Sequence, residues 1–363
     1  MMLLSSVSDS RDNNFNLIRM IAASGVLLSH AYPITQGIDV LEPFQAETGQ
    51  TLGEICVAIF FGISGFLITR SMDRRPDAAY FVSARVLRLF PALIVVTILT
   101  VLCLGPAFTT LPLTEYFGSR ETWSYVPRNV GLYNLQWGLP GVFGDNPRGS
   151  GINGSLWTLF YEVTCYLGVF ALGLTGVLAS RVLRAGAVIA YFALYVLTGL
   201  PFVAEELPEK VGYLRMLSLP FAIGMAMYIY RDRCPLSFLG AIALAAFAWA
   251  LINTPAFEIA FSAALIYATF VLGYKVGGPL KAYNDLGDYS YGMYVYAFPV
   301  QQSLVALFGA MTPLANAAIA FPITLFFAIA SWYLIEKPAN DQKRIVAQAM
   351  GRVRIPRMRP AGP

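Results

Sequence analysis

Residues Phe90–Phe108 read FPALIVVTILTVLCLGPAF, nineteen positions without one charged side chain. As an α-helix the run is about 28 Å long, close to the thickness of a bilayer's hydrocarbon core. Lipid offers backbone groups no water, so a segment of this kind must satisfy them internally. Two arginines, Arg85 and Arg88, stand just before it. The run is not isolated. Over 363 residues the chain is 57% hydrophobic and only 13% charged, whereas about a quarter of a soluble domain is charged. This balance excludes a disordered chain and argues against a water-soluble one. The 25 Lys and Arg are nearly offset by 21 Asp and Glu, so a soluble nucleic-acid binder is excluded and no nucleic acid is expected as a partner.

Working outward gives nine further apolar runs: Phe15–Tyr32, Gly53–Thr69, Leu156–Leu178, Ala185–Val203, Val211–Tyr230, Leu236–Leu251, Phe257–Tyr274, Ser290–Phe308 and Pro313–Ile335. The expected fold is therefore an all-α integral membrane protein of about ten transmembrane helices. With Met1 in the cytoplasm, 20 of the 25 Lys and Arg fall on inside segments or at the start of the first helix. Only Arg120, Arg128, Arg148, Lys210 and Arg215 fall outside. That asymmetry is the positive-inside pattern, and it predicts both termini in the cytoplasm of a multi-pass inner (plasma) membrane protein. Arg19 and His30 interrupt the first run and no small-residue cleavage site follows, so it reads as a span rather than a signal peptide. Residues 1–338 are expected to form the transmembrane domain and 339–363 a basic cytoplasmic tail. The tail reads as a disordered topology anchor, or else as a segment lying on anionic lipid. The stretch 109–154, placed outside, holds Trp123, Tyr125, Tyr133 and Trp137 among many Gly and Pro. It reads either as a sugar-stacking surface or as an interfacial aromatic belt. The four cysteines form no C-x-x-C and there is one histidine, so no metal site is expected.

Ionisable residues inside apolar spans are costly and mark function by default. Arg19 and His30 are eleven residues apart, which returns to within about 20° on a helix and separates them by about 16 Å along one face. His30 suits general base work near neutral pH. Its bland reading is a helix–helix hydrogen bond, and that of Arg19 is snorkelling to headgroups. Glu162 either orients and charge-stabilises that histidine or pairs structurally with an intramembrane Arg or Tyr. Arg85 and Arg88 share one face at the expected start of the third span. Their guanidinium forks suit phosphate oxygens, or they anchor topology.

Taken in order, the motifs resemble the acyltransferase 3 family of membrane-bound acyltransferases, from Asn14 to Pro338. They are Asn14-Phe-Asn-Leu-Ile-Arg19 through Ser29-His30, then Phe60–Ile68 (FFGISGFLI), Arg85-Val-Leu-Arg88, Ser155-Leu-Trp-Thr-Leu with Tyr161-Glu162, Tyr289-Ser-Tyr-Gly-Met-Tyr, and Ile335-Glu-Lys-Pro338. Two positions depart from the family pattern: Asn16, where many relatives have Asp, and Ala297, where many have a second histidine.

The resemblance implies an O-acyltransferase that moves an acyl group, usually acetyl, from cytoplasmic acyl-CoA to a hydroxyl of a surface or lipid-linked carbohydrate. Acyl-CoA, usually acetyl-CoA, would be a co-substrate, with no bound cofactor. The partners implied are membrane lipid, acyl-CoA and a carbohydrate acceptor. His30 would be the base, or the carrier of a transient acyl group. Glu162 would be its orienter, and Arg19, Arg85 and Arg88 would bind the donor. Ser155, Trp157 and Tyr291, from the fourth and ninth helix motifs, would contact or support the acceptor. The rival reading from another class is a transporter of lipid-linked sugars, whose pathway the same polar residues would line.

Overall fold

The computed structural model of the protein describes residues 2–10, 12–351 and 353–358. Arg11, Arg352 and Arg359, counted above with the basic segments, lie outside the described residues. Every one of the ten apolar runs contains a helix: α1 Phe15–Gln36, α2 Leu52–Arg74, α3 Ala78–Leu99, α4 Trp157–Leu174, α5 Arg181–Thr198, α6 Glu209–Ile229, α7 Phe238–Ala250, α8 Phe257–Lys275, α9 Ser290–Phe308 and α10 Pro313–Ser331. Among the described residues, eight helical stretches are long and apolar enough to cross a membrane. The two runs outside that set are instructive. At 13 residues α7 is short. The other, α9, dilutes its hydropathy with Tyr291, Tyr294, Tyr296, Gln301 and Gln302, all buried inside the bundle. Its polar groups face protein, not lipid.

Helix α3 differs most from expectation. It begins at Ala78, twelve residues before Phe90, where the Asp77 carboxylate accepts from the Tyr80 N–H at 3.2 Å. It continues through a π-helical segment, Thr100–Leu104, to Phe108. Arg85 and Arg88 therefore lie about 10–15 Å inside the helix, partly buried, and not at its entrance. Charge misled the boundary: two arginines read as the end of a span, whereas both are held within the bundle.

Helices α1, α2 and α9 form the centre, with α6, α10, α3 and α4 packed around them. The segment FFGISGFLI acts here through its glycines. A Cβ at Gly65 would lie 2.0 Å from the Phe221 carbonyl oxygen of α6, and one at Gly224 would lie 2.0 Å from that of Gly62. The α2 and α6 backbones thus touch directly, the small-residue packing that replaces hydrophobic drive in lipid. By contrast α5 leaves Val182, Ile189, Leu194 and Leu197 exposed on its outside, as a helix bathed in acyl chains would.

The loops sort onto two faces. On one, Met2–Leu3 pairs antiparallel with Pro235–Leu236, Arg74 meets Asp9 at 2.8 Å and Lys281 meets Asp12 at 2.6 Å. The C-terminal residues join them: the Ala78 N–H donates to the Val353 carbonyl at 2.9 Å and the Ile355 N–H to that of Pro76 at 2.8 Å. The described residues nearest the two ends of the chain therefore share this basic face. The expectation of a disordered tail is corrected: its described residues include helix Lys343–Ala349 and a buried Ile355. On the opposite face the stretch 109–153 folds as a cap with its own core of Tyr116, Tyr125, Val142, Phe143 and Ile152. The Tyr116 hydroxyl donates to the Val101 carbonyl in the π-helical segment at 2.9 Å, pinning cap to helix.

Candidate active site

The interior holds a succession of cavities, each sharing lining residues with the next. At the basic face a cavity of about 590 Å³ is lined by Arg70, Arg74, Arg75, Arg85, Arg88 and Arg344, among others. Through Arg19, Arg88 and Tyr166 it adjoins a neck of about 40 Å³. Through Val57, Thr158 and Tyr294 the neck adjoins a space of about 180 Å³. That space shares His30, Glu42 and Trp157 with a cavity of about 560 Å³ under the cap, walled by Tyr133, Trp137, Phe160, Tyr161 and Tyr213.

Arg19 and His30 both face this interior, on the shared helix face expected of an eleven-residue spacing. Arg19 lies at the neck and His30 at the junction of the two cavities beyond it. The His30 ring packs edge-on against Phe298 at 5.3 Å. Its buried Nδ1 has no hydrogen-bond partner among the described residues.

Glu162 is not that partner. Its Oε1 accepts from the Tyr166 hydroxyl and, at 3.4 Å, from Ser64, and it lines the neck beside Arg19 and Arg88. The reading of Glu162 as the histidine's orienter is corrected in this geometry; pairing with a tyrosine is what the structure shows. The carboxylate sharing both cavities with His30 is Glu42, in the loop after α1. It accepts from the hydroxyl of Ser29, which itself accepts from the Gly53 N–H at 2.8 Å. Burial raises the Glu42 carboxyl above its ordinary value, with Glu54 adding to the rise while Ser29 and Arg148 oppose it. Nothing in the sequence marked Glu42 beyond its place twelve residues after His30.

Arg19 and Arg88 are joined by an acid that motif reading missed. Asp288 Oδ2 lies 2.7 Å from Arg19 Nη1 and 2.6 Å from Arg88 Nη2. Arg88 also reaches Glu336 at 3.5 Å, whose other oxygen accepts from Ser331 at 2.9 Å. Burial alone would raise the Asp288 carboxyl, but the two guanidiniums and the Ser290 bonds hold it down at about 2. An acid one residue before Tyr289, at the mouth of the ninth run, was the available signal. Arg85 differs. It makes no hydrogen bond among the described residues, its buried Nε is unpaired, and it lies 5.9 Å from the rings of Phe81 and Tyr166.

The three motif residues placed with the acceptor separate. Trp157 lines both cavities at His30. Ser155 starts the turn before α4; its carbonyl accepts from Tyr294 at 2.8 Å, and its buried hydroxyl is unpartnered among the described residues. Tyr291 belongs to the other end: it lies under Arg88 at 5.8 Å, donates to the Leu89 carbonyl at 2.9 Å and lines the neck. No group of His, Cys, Asp and Glu that could hold a metal occurs among the described residues.

Comparison with known proteins adds to this geometry. A family model described as "Acyltransferase domain" matches residues 12–335. A protein of Shigella phage Sf6 named O-acetyl transferase is 31% identical over 342 residues, covering 90% of this chain and 96% of its own. Nodulation protein 10 of Rhizobium leguminosarum bv. viciae is 30% identical over 371 residues, covering 92% and 94%. No solved structure matches significantly. The match spans the buried arginines, the histidine and the helices that carry them, and the chain belongs to the acyltransferase 3 family, enzymes that transfer acyl groups other than aminoacyl groups.

Proposed function

We propose that the chain is a ten-span O-acyltransferase of the inner membrane, with both termini cytoplasmic. It takes an acyl group, acetyl by preference, from acyl-CoA at the basic face and delivers it to a carbohydrate hydroxyl under the aromatic cap. The observation that carries this reading is the series of adjoining cavities from a guanidinium-lined mouth, past His30, to a chamber walled by aromatic rings. Guanidinium forks suit the CoA diphosphate. Aromatic faces and the flanking Lys210, Glu209 and Arg148 suit a sugar. The pantetheine arm threads the neck and sets the thioester beside His30.

The chemistry then follows from the residues. The acceptor hydroxyl gives its proton to the His30 imidazole as its oxygen attacks the thioester carbonyl carbon. The C–S bond breaks, and the departing CoA sulfur takes the proton from the imidazolium. The ester stays on the sugar side and the thiol on the donor side. A base so placed contributes about 10²–10⁴ in rate. Glu42, near enough to share both cavities, favours the imidazolium when ionised. CoA itself never crosses, since moving its charges through hydrocarbon is prohibitive.

Two measurements test this. Purified protein given acetyl-CoA and a carbohydrate acceptor is expected to release free thiol in step with acceptor acetylation; acceptor modification without thiol release ends the donor assignment. For sidedness, single cysteines near Arg75 and near Gly149 are placed on a background lacking Cys56, Cys103, Cys165 and Cys234. An impermeant thiol reagent on intact cells labels only the second. The reverse pattern inverts the topology.

A further inference from the structure

A second basic cavity, of about 880 Å³, adjoins the donor mouth through Arg74, Arg75, Tyr80 and Arg344. Its outer wall is Arg354 and Arg357, so the segment that closes it is the C-terminal one. That segment is fastened at several points. Val353 and Ile355 bond the backbone of Ala78 and Pro76, Ile355 and Ala347 are buried, and the Ser83 hydroxyl lies 3.4 Å from the Met350 sulfur. The pinned backbone thus carries three guanidiniums, of Arg344, Arg354 and Arg357, to one place. None of the three forms an ion pair with a described residue, although Arg74 pairs with Asp9. Arg75 is laid over the Tyr80 ring at 4.5 Å. Asp77 is the one carboxylate among the described residues that line the cavity, against five guanidiniums; the cations outnumber it and repel one another, a cost that a bound polyanion removes.

Acyl-CoA carries two separate phosphate groups: a diphosphate between the pantetheine arm and the ribose, and a monoester on the ribose 3′ oxygen. If the arm enters past Arg85 and Arg88, the diphosphate occupies the first basic cavity, and the ribose and adenine must lie outside it. The second cavity is where they would fall. We infer that the described C-terminal residues 343–351 and 353–358 are part of the donor site, and that Arg344, Arg354 and Arg357 hold the ribose 3′-phosphate of acyl-CoA. This rests on the reading of acyl-CoA as donor. The same guanidiniums would suit the phosphate of an anionic lipid headgroup, so the experiment must separate the two sources.

The test compares acetyl-CoA with acetyl-dephospho-CoA, which lacks only the 3′-phosphate. Thiol release is followed for the protein in phosphatidylcholine nanodiscs with and without phosphatidylglycerol. Wild type is expected to show a KM about tenfold or more lower for acetyl-CoA, with similar kcat, as befits charge-assisted bonds to one phosphate. Arg354→Gln combined with Arg357→Gln, two residues that line the second cavity and not the first, is expected to raise the acetyl-CoA KM to the dephospho value and to leave the dephospho KM unchanged. Equal KM values for the two donors in wild type overturn the assignment without any variant having to fold. A double variant that loses only a phosphatidylglycerol effect, alike for both donors, overturns it in favour of lipid. Thiol release from neither donor overturns the acyl-CoA reading beneath it.

Discussion

The two ends of the interior are built on opposite plans. At the basic end charge is abundant and much of it is tied down. Arg19 and Arg88 share Asp288, Arg88 also takes Glu336, and Tyr166 and Ser64 occupy Glu162. At the aromatic end charge is sparse, and the His30 Nδ1 and the Ser155 hydroxyl have no described partner. Paired groups fix a shape; unpaired groups await a ligand. The comparison therefore assigns rigidity to one end and reactivity to the other. It also singles out Arg85, whose buried Nε is unpaired amid the paired charges.

The sharpest break is at His30. His30→Ala is expected to lower acyl transfer by about 10²–10⁴ while thermal unfolding in detergent stays as in wild type. Near-normal transfer would remove the base, because the chain has no other histidine. At the other end the order of effects reverses. Asp288→Ala leaves two guanidiniums facing each other in a poorly hydrated site, with an expected loss of about 3–5 kcal/mol in stability. The readout is the unfolding midpoint, and an unchanged midpoint would mean the ion network does not hold the helices.

Acid gives a milder version of the same experiment. The Asp288 carboxyl sits at about 2 in the folded protein against an ordinary 3.8. Between these values the unfolded chain binds more protons, so stability falls as pH falls. The contribution, about 2 kcal/mol, is complete above about pH 4 and disappears through pH 2; Asp288→Asn should flatten that part of the stability profile. Next in size, Arg85→Lys keeps the charge but loses the fork, and is expected to raise the acyl-CoA KM about tenfold. Full function in that variant would favour a mere topology anchor. Smallest is Trp137→Ala, which removes one face of the aromatic chamber. An acceptor KM raised about three- to tenfold, with the acyl-CoA KM unchanged, is the expected outcome of steady-state assays.

Much of this plan was legible from residues alone. Phe90–Phe108 and its counterparts located the helices, and eleven-residue spacing put Arg19 and His30 on one inward face. What misled was the meaning of charge near a helix end. Arg85 and Arg88 were read as a boundary, yet the helix had begun at Ala78 because Asp77 caps it there. Partner choice was harder still. Glu162 and Glu42 are 120 residues apart, and only tertiary packing shows which of them shares a cavity with His30. Asp288 joins two arginines from helices far off in sequence, which periodicity within one helix does not report. The tail looked disordered by composition, but Ile355 and the backbone around it are held by the start of α3.

The neck between the two ends has a further bearing on the cell. A membrane that stores energy as a proton gradient is endangered by any polar path across it. Here the path narrows to about 40 Å³, room for no more than a few waters, and there it passes two guanidiniums. Those guanidiniums are matched by Asp288 and Glu336, and Glu162 lines the same space, so what holds back hydrated ions there is width, not net charge. The ion network that braces the bundle also keeps the constriction narrow: Arg19 and Arg88 are drawn onto one carboxylate, and with them the helices that carry them.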